Sequence, residues 1–476
     1  MKKFNSILIA LALFLSYISG ISQVPERELR GAWMHTVFQD GYLKRSTEEN
    51  KAYLISQLDR LSKAGVNAVF FQVRPQADAF YASALEPWSR YLTTGAKAPA
   101  PYWDPLEFMI QETHKRGMEL HAWFNPYRVT ASKTQKPENL DLYSKHPERF
   151  VSYGGKIFFN PGLPENMDYI VEVVKDVTSR YDIDGIHFDD YFYPYPEKGI
   201  EFADSKEYRT HGNGLTLDDW RRSNVDSLIK KVHQGIKEIK PWVRFGISPF
   251  GIWRNKTSDP NGSDTRGLEN YDALYADVLL WAHEGWVDYL MPQLYWELDH
   301  KTASTRKLLS WWAQAVPPTC HLYIGHDVER SQKCNETEEK VELGRALNHY
   351  HGVCWWPGYS VTSDFGGFTS SLRKASISHQ VLPPAYAQIS KLTPHPVTAL
   401  RSVKGELRWE KPADTKNADA VNRYAIYSCS PSGTGCSLIA VTHDNSFRVP
   451  GSGYYTVCAI SRANQVSAPH KPVAVK

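Results

Sequence analysis

Two adjacent carboxylates stand at the end of an apolar run, in the segment DGIHFDDYFYPYP at residues 184–196. A parallel strand that is buried on both faces tolerates charge mainly at its carboxyl end. Asp189 and Asp190 are therefore predicted to lie at the open end of a barrel, with four aromatic residues close behind them. Because aromatic rings pack against the apolar faces of sugars, this combination suggests chemistry on a glycan.

Cleavage of a glycosidic bond needs two carboxyl groups, one protonated to assist the leaving oxygen and one ionised as nucleophile or base. If the strand stays regular, Asp189 and Asp190 point to opposite sides, so only one of them is expected to enter the site. Asp190 is favoured as nucleophile or base, and Asp189 is expected to anchor the loop or orient its neighbour. The predicted general acid is Glu297 in MPQLYWEL, with Asp327 as the reserve. A solvated loop acid is the alternative for Glu297.

Further polar and aromatic side chains end the other predicted strands, as expected where reactive groups come from several strand ends. Some have structural alternatives: a lone His35 is more often part of rim packing, and Arg74 could pair with a strand-end carboxylate. Trp355 and Trp356 alternate along a strand, so only one of them can face the barrel interior. Trp33, Trp123 and Ser248 also stand at strand ends, and the predicted substrate-binding residues are His35, Gln72, Arg74, Asn125, Tyr127, Arg128, Tyr191, Gln293, Tyr295, Trp296 and Trp356.

From residue 29 to residue 361, apolar strand-like runs alternate with longer amphipathic stretches, and these elements must position the residues named above. This alternation is typical of parallel βα units. The eight predicted strands cover residues 29–36, 68–75, 119–127, 185–192, 243–250, 287–296, 321–327 and 352–359. Helical patterns lie between them at residues 47–64, 105–116, 164–180, 217–240, 271–283, 304–315 and 336–349.

Eight strands in a chain of this size predict an α/β fold, a (β/α)8 TIM barrel, because closure removes the sheet edges and the helices cover the outside. An open, doubly wound sheet is the main alternative. It is disfavoured because neither GxGxxG nor a P-loop follows an early strand. In addition, polar residues gather at most strand ends rather than at one switch point.

The composition changes near both ends of the chain. Residues 1–22 combine Lys2 and Lys3 with an apolar run and small residues, which predicts a signal peptide and a secreted or periplasmic location after its cleavage. The barrel is assigned to residues 28–380 and a Pro-rich linker to residues 381–392. Short alternating runs predict a small all-β sandwich over residues 393–476, and Trp409 with the run YYTVCAIS resembles a fibronectin type III domain. Its simplest role is that of a spacer or attachment module.

The overall charge argues against highly charged partners. With Lys+Arg 55 against Asp+Glu 52, and a net charge of +3, nothing drives the protein toward nucleic acid or an anionic membrane. No stable membrane span is predicted, and the expected partner is a polysaccharide or oligosaccharide bound by a monomer. The six cysteines lie in the last third without a zinc-type spacing, so no metal and no cofactor are predicted. In an oxidising compartment, Cys429 with Cys436 is the expected disulfide.

Six segments occur in the order ELRGAWMHT, FFQVRPQADAFY, LHAWFNPYR, DGIHFDDYFYPYP, FGISPFGIWRN and DYLMPQLYW. In this combination the chain resembles the glycosyl-hydrolase-like ten family of bacterial envelope proteins over about residues 28–380. The resemblance implies a (β/α)8 barrel acting on a glycan, and some members look like hydrolases of peptidoglycan strands stripped of their peptides. Asp189 and Asp190 fall in FDDYF, Arg74 in QVRP, Asn125 and Arg128 in FNPYR, and Gln293 and Tyr295 in PQLYW.

The segment at residues 184–191 is also similar to the chitinase-like pattern DGxDxDxE. His187 replaces its middle acid and Tyr191 the acid that would protonate the leaving group, which argues against a chitinase-type, substrate-assisted mechanism. The predicted function is hydrolysis of O-glycosidic bonds in a polysaccharide by a carboxylate pair, with peptidoglycan glycan strands as the implied substrate. Two alternatives stay open. One is a carbohydrate-binding protein without turnover, and the other is a metal-dependent hydrolase using His35, His187 and His326, which the missing HxH pair after strand one disfavours.

Overall fold

A computed structural model describes residues 26–137, 140–413 and 417–476. The signal peptide predicted for residues 1–22 lies outside the described residues. The strands, in chain order, are β1 (Leu29–Met34), β2 (Ala68–Arg74), β3 (Glu119–Phe124), β4 (Phe150–Tyr153), β5 (Lys156–Phe159), β6 (Gly185–Phe188), β7 (Arg244–Ile247), β8 (Tyr289–Leu290), β9 (His321–Asp327), β10 (Gly352–Trp356), β11 (Thr398–Val403), β12 (Glu406–Glu410), β13 (Val421–Cys429), β14 (Ser437–Thr442), β15 (Ser446–Arg448), β16 (Gly453–Ser461) and β17 (Val473–Val475).

Eight of these strands close into a parallel barrel in the order β1-β10-β9-β8-β7-β6-β3-β2. The predicted (β/α)8 TIM barrel is therefore confirmed, and the open sheet is excluded. The α-helices are Gly41–Lys44, Thr47–Lys63, Pro105–Lys115, Asp141–Lys145, Pro164–Arg180, Ser205–His211, Leu217–Ile239, Asn270–Ala273, Val278–His283, Thr305–Ala315, Val328–Lys333, Thr337–Arg345, Gly358–Thr362 and Phe368–Lys374, with 3-10 turns at Pro147–Arg149 and Phe365–Gly367. None of the helices in the described part of the chain is long and apolar enough to cross a membrane.

Local signals in the sequence explain where the first long helix begins and ends. Ser46 and Glu49 form a capping box, in which each side chain accepts from the backbone N–H of the other residue. After Lys63 the chain leaves the helix through Gly65, whose φ is +87° and where a Cβ would lie 2.0 Å from the carbonyl oxygen of Ile377. Only glycine fits this turn, which aims the chain into β2.

Alternation along the barrel strands separates two packing layers. On β2, Val69 and Phe71 belong to the large core between the strands and the helices, whereas Phe70 points into the barrel. The barrel interior is filled by rings that lie over glycines of neighbouring strands. A Cβ on Gly246 would lie 2.1 Å from the ring of Tyr289. The interior is thus a stack of aromatic and histidine rings instead of the branched aliphatic layers common in such barrels.

The C-terminal part consists of two antiparallel sheets, β11-β12-β15 and β14-β13-β16-β17. They share one apolar core, which includes Trp409 of one sheet and Ile426 and Val457 of the other. The predicted all-β sandwich class is thereby confirmed, while the fibronectin type III likeness and the segment boundaries stay predictions. Cys429 and Cys436 carry free thiols here, and each donates to a backbone carbonyl, but the two thiols also interact with each other, so their disulfide in an oxidising compartment stays a prediction.

Buried ionic contacts attach the C-terminal sheets to the amino-terminal face of the barrel. Glu119, at the start of β3, accepts from Arg423 at 2.8 Å and from Asn464 at 2.9 Å, and its other oxygen lies 2.7 Å from Arg244. The residues predicted as a linker also pack here: Tyr386 is buried, and its hydroxyl lies 2.5 Å from that of Tyr323. The C-terminal part is therefore docked on the barrel, and its role as a spacer or attachment module stays a prediction.

Candidate active site

A cavity of about 350 Å³ opens at the carboxyl ends of the barrel strands. We call it the barrel cavity. Its volume is in the range of ordinary small-ligand pockets. The side chains around it come from most of the strands and combine aromatic rings with amides and two carboxyl groups. The residues that line it are Trp33, His35, Val37, Phe38, Gln72, Trp123, Arg128, Asp189, Asp190, Tyr191, Ser248, Gln293, Tyr295 and Trp356.

Both aspartates line this cavity, which corrects the expectation that only one of them enters it. Asp189 lies on the inward row of β6, in line with Gly185 and His187, whereas Phe188 packs outward in the main core. The strand ends at Phe188, so regular alternation does not extend to Asp190, and the turning chain brings that side chain to the same cavity. The two carboxyl groups therefore form a pair.

A chain of amides holds Asp189. Its Oδ2 accepts from the indole N–H of Trp123 at 3.1 Å and from the side-chain amide of Asn125. The Oδ1 of Asn125 accepts in turn from Gln72 at 2.6 Å and from Arg128 at 2.7 Å. Asn125 and Gln72 therefore orient the carboxyl group of Asp189. Both were predicted to bind substrate, but only Gln72 lines the cavity.

Burial and the neighbouring negative charge raise the pKa of Asp189 to about 7. Burial also raises the pKa of Asp190, but the Tyr195 hydroxyl, which donates to Oδ2 of Asp190, works in the opposite direction by stabilising the ionised form. The charge of Asp190 contributes to the raised pKa of Asp189, so ionisation of one aspartate disfavours ionisation of the other. Below about pH 7 Asp189 thus favours its protonated form, while the Tyr195 hydroxyl favours the ionised form of Asp190.

The predicted acids Glu297 and Asp327 are not among the residues that line the barrel cavity. Glu297 is 35% exposed, with its oxygens 3.7 Å from Arg330 and 4.0 Å from His300. Asp327 caps the helix Val328–Lys333 by accepting from the backbone N–H of Arg330 at 2.6 Å. The physical reason is that β8 ends at Leu290, so the chain has already turned away when it reaches Glu297. The structure therefore does not bring Glu297 to Asp190 in this cavity.

Besides Asn125, three further predicted substrate-binding residues are absent from the cavity lining. Arg74 is buried, with its Nη2 2.5 Å from Glu86, and it donates to the carbonyl of Asn125, so the ion-pair alternative is the correct one. Tyr127 is buried in the main core, and Trp296 packs edge-on against Phe250. The predicted residues that do line the cavity are His35, Gln72, Arg128, Asp189, Asp190, Tyr191, Gln293, Tyr295 and Trp356.

Two features of the cavity wall carry little sequence signal. Val37 and Phe38 line the cavity from the loop after β1, although neither is polar. Tyr195 lies outside the lining but bonds to Asp190, and only its place in the aromatic cluster FYPY could have suggested it. Arg128 was predicted, and its guanidinium lies 5.2 Å from the ring of Tyr191, which fixes the ring beside the aspartates.

A hydrogen-bonded chain runs down the barrel axis from the cavity floor. Trp33 Nε1 lies 3.0 Å from His187 Nε2, and because an indole N–H can only donate, the proton of His187 must be on Nδ1. That N–H points to the hydroxyl of Tyr289 at 3.1 Å, and the hydroxyl lies 3.1 Å from Nδ1 of His121. The Nε2 of His121 is 3.3 Å from Glu119. The floor is thereby linked to the charges that hold the C-terminal sheets.

His35 is placed in the cavity wall as a neutral imidazole. Burial lowers its pKa to about 4, and its ring packs 4.8 Å from that of Trp356. The Nε2 lies 2.7 Å from the side-chain nitrogen of Gln39, which donates, so the proton is on Nδ1. His35 can bind a ligand oxygen but is a poor base at neutral pH. In the described part of the chain, no group of three or more His, Cys, Asp and Glu side chains is placed to hold a metal ion.

The sequence model of a family described as Glycosyl hydrolase-like 10 matches residues 28–341, which include both aspartates and most of the barrel. The chain belongs to the glycosyl hydrolase-like 10 family. Glycosyl hydrolase YngK of Bacillus subtilis (strain 168) is 47% identical over 309 residues, 63% of this chain and 60% of that protein. Glycosyl hydrolase DigH of Escherichia coli (strain K12) is 41% identical over 327 residues, 64% of this chain and 74% of that protein. The matched region thus spans only about 60% of the length of YngK.

Solved structures with a similar architecture include the glycoside hydrolase domain of PgaB (BpsB) from Bordetella bronchiseptica. It has a TM-score of 0.49 and 12% identity, and the match covers 73% of this chain and 98% of that one. The endo-1,4-beta-mannanase from Rhizomucor miehei has a TM-score of 0.47 and 11% identity, with 74% and 95% covered. At these identities the likeness concerns the barrel alone. Membership of the glycosyl hydrolase-like 10 family is the finding that connects this barrel to carbohydrates.

Proposed function

We propose that this chain hydrolyses O-glycosidic bonds in a polysaccharide, with peptidoglycan glycan strands as the substrate, and that it acts outside the cytoplasm. The observation that carries the proposal is the pair Asp189 and Asp190, two buried carboxyl groups in one aromatic-lined cavity, each with its pKa raised by burial. Glycosidic cleavage requires a carboxylic acid and a carboxylate that flank the bond to be cleaved.

The environment assigns a role to each member of the pair. Asp189, whose pKa is raised to about 7, is the general acid that protonates the leaving oxygen. Its Oδ2 already accepts two N–H groups, whereas Oδ1 has only a long 3.4 Å contact with the backbone N–H of Tyr191, so Oδ1 is the oxygen that carries the proton. Asp190, whose ionised form the Tyr195 hydroxyl favours against the effect of burial, is the nucleophile or the base for water.

The remaining cavity residues bind the sugar. Trp356 and Tyr191 offer ring faces, and Gln72, Gln293 and Arg128 offer hydrogen-bond donors to hydroxyl groups. Glu297 has no part in this proposal, because its partners are Arg330 and His300 outside the cavity.

The test measures the release of reducing ends from peptide-free peptidoglycan glycan strands by the full chain. Asp190→Ala and Asp189→Asn are each expected to lower the rate by about a thousandfold or more, and Glu297→Gln is expected to stay within about twofold of the wild type. Added azide, a small anionic nucleophile, would restore turnover to the Asp190→Ala variant if Asp190 is the nucleophile. Loss of activity in Glu297→Gln together with normal activity in Asp189→Asn would overturn the pairing. Glycan affinity with no reducing ends from the wild type would instead select a carbohydrate-binding protein.

A further inference from the structure

A second cavity, of about 260 Å³, lies on the same rim of the barrel. It is formed by the long loop after β2, and its walls include Gln76, Asp78, Trp88, Arg90, Thr93 and Thr94. We call it the Asp78 pocket. Val129 lines it from the far side, and Arg128, the residue before, lines the barrel cavity. The two cavities therefore share one wall of the rim, the loop that contains Arg128 and Val129.

Asp78 is an unusual residue to find in the wall of a pocket, because it is only 5% exposed and half of its carboxyl group has no partner. Its Oδ2 accepts from the Ser89 hydroxyl at 3.0 Å and from the backbone N–H of Arg90 at 3.2 Å. Its Oδ1 is buried without a hydrogen-bond partner in the described part of the chain. An orphaned buried acceptor needs an explanation, and a ligand that donates a hydrogen bond supplies one.

The side-chain amide of Gln76, in the same wall, also has unused hydrogen-bonding capacity. The oxygen of Gln76 accepts from the backbone N–H of Ala131 at 3.1 Å, while its nitrogen has only a 3.4 Å contact with Asp78. Trp88 adds a half-buried indole to the same wall. The pocket thus offers an acceptor, a spare donor and an aromatic face within one sugar-sized volume.

The charges select a neutral ligand. Among the lining residues that the structure describes, Asp78 is the only carboxylate, and Arg90 lies close enough to oppose its charge. A bound cation would need more than one anionic group to offset its dehydration, and the guanidinium of Arg90 would repel it. A sugar ring has hydroxyl groups to donate to Asp78, acceptors for Gln76, and an apolar face for Trp88.

We propose that the Asp78 pocket is a second saccharide subsite, which binds a hydroxyl-bearing ring of the same polysaccharide beyond the unit that is cleaved in the barrel cavity. The proposal rests on the proposed function for the identity of the polymer. It makes Asp78 and Trp88 specificity residues for long chains, because a short oligosaccharide held at Asp190 would not reach them.

The test compares the binding of two soluble probes, the β-1,4-linked hexamer and dimer of N-acetylglucosamine, by calorimetry with the full chain carrying Asp190→Asn. In that background, Asp78→Asn and Trp88→Ala are expected to weaken hexamer binding by about tenfold and to leave dimer binding unchanged. Trp286→Ala is the matched control, because Trp286 is also half-buried but lies just before β8, at the opposite face. Thr94→Trp fills the pocket from an exposed position and serves where another variant fails to fold.

Hexamer binding that is equal in Asp78→Asn, Trp88→Ala and Trp286→Ala would overturn the subsite, as would the absence of hexamer binding in the Asp190→Asn protein. The two proposals fail separately. If the wild type cleaves no strand but the pocket variants still lose hexamer affinity, the hydrolase is wrong and the subsite stands. If the wild type cleaves strands and the pocket variants bind like the control, the reverse holds.

Discussion

Replacing Asp189 by Asn is expected to stabilise the protein at the same time as it removes activity. The pKa of Asp189 is raised from its ordinary 3.8 to about 7. Between these values the folded state keeps a proton that the unfolded state has lost, so the free energy of unfolding falls as the pH rises through this window. Each tenfold change in acidity is worth about 1.4 kcal/mol, so ionisation above pH 7 costs the folded protein about 4 kcal/mol. Asparagine never ionises and avoids this cost.

The assay is urea unfolding of the wild type and of Asp189→Asn, at about pH 5 and about pH 8. The advantage of the variant should grow with pH by a few kcal/mol. Asp226→Asn is the matched control, because burial also raises the pKa of Asp226 to about 7, while its carboxylate accepts from Trp281 at 2.6 Å away from the cavity. It should gain stability in the same direction, by less because it is half-buried, and keep full activity. If the stability difference of Asp189→Asn is the same at both pH values, Asp189 is ionised in the fold and cannot be the general acid.

Three further outcomes are expected. Tyr195→Phe removes the hydroxyl that favours ionised Asp190, so the pKa of Asp190 should rise and the acidic limb of the pH–rate profile should move to higher pH. An unchanged acidic limb would mean that it does not report the ionisation of Asp190. Glu119→Gln leaves Arg244 and Arg423 buried without their anion and should lower the free energy of unfolding by about 3–5 kcal/mol. Arg462→Ala breaks the exposed pair with Asp182, which joins the same two parts of the chain, and should lower it by about 1 kcal/mol or less. Similar losses in the two variants would contradict the argument that burial makes the Glu119 contacts important. Ser46→Ala removes the cap of the helix Thr47–Lys63 and should cost about 1 kcal/mol in a thermal melt, with no effect on hydrolysis.

Periodicity was sufficient to predict the barrel but not the ends of its strands. All eight strands are present, yet several are shorter than predicted, above all β8, which is observed over Tyr289–Leu290 instead of residues 287–296. The residues after Leu290 keep a strand-like composition because they line a cavity and pack against rings. Side-chain alternation therefore continues in the sequence after the backbone ladder has stopped, and no local signal marks the difference.

The early end of the strand ladders also explains which predictions about the positions of site residues agree with the structure and which do not. Asp189 and Asp190 were found because two acids after an apolar strand are rare. The expectation that only one of them enters the cavity was wrong, since alternation counted from Gly185 and His187 places Asp189 on the inward row, and Asp190 enters because the strand has ended. Glu297 was chosen for its neighbours in sequence, whereas its contacts depend on how a loop of the fold turns. Tyr195 and the orphaned Asp78 oxygen are visible only in three dimensions.

The docking of the C-terminal sheets also limits when the contacts at the amino-terminal face of the barrel can form during synthesis. Glu119 draws two of its partners from residues that follow it by 304 and 345 positions, and Arg27 donates to a carbonyl 437 positions later. On the ribosome, every barrel strand exists before those partners do, and until then Glu119 has only Arg244 as its cation. Contacts this distant in sequence form late. The buried contacts at the amino-terminal face of the barrel therefore cannot all form in a nascent chain until Asn464 has been synthesised.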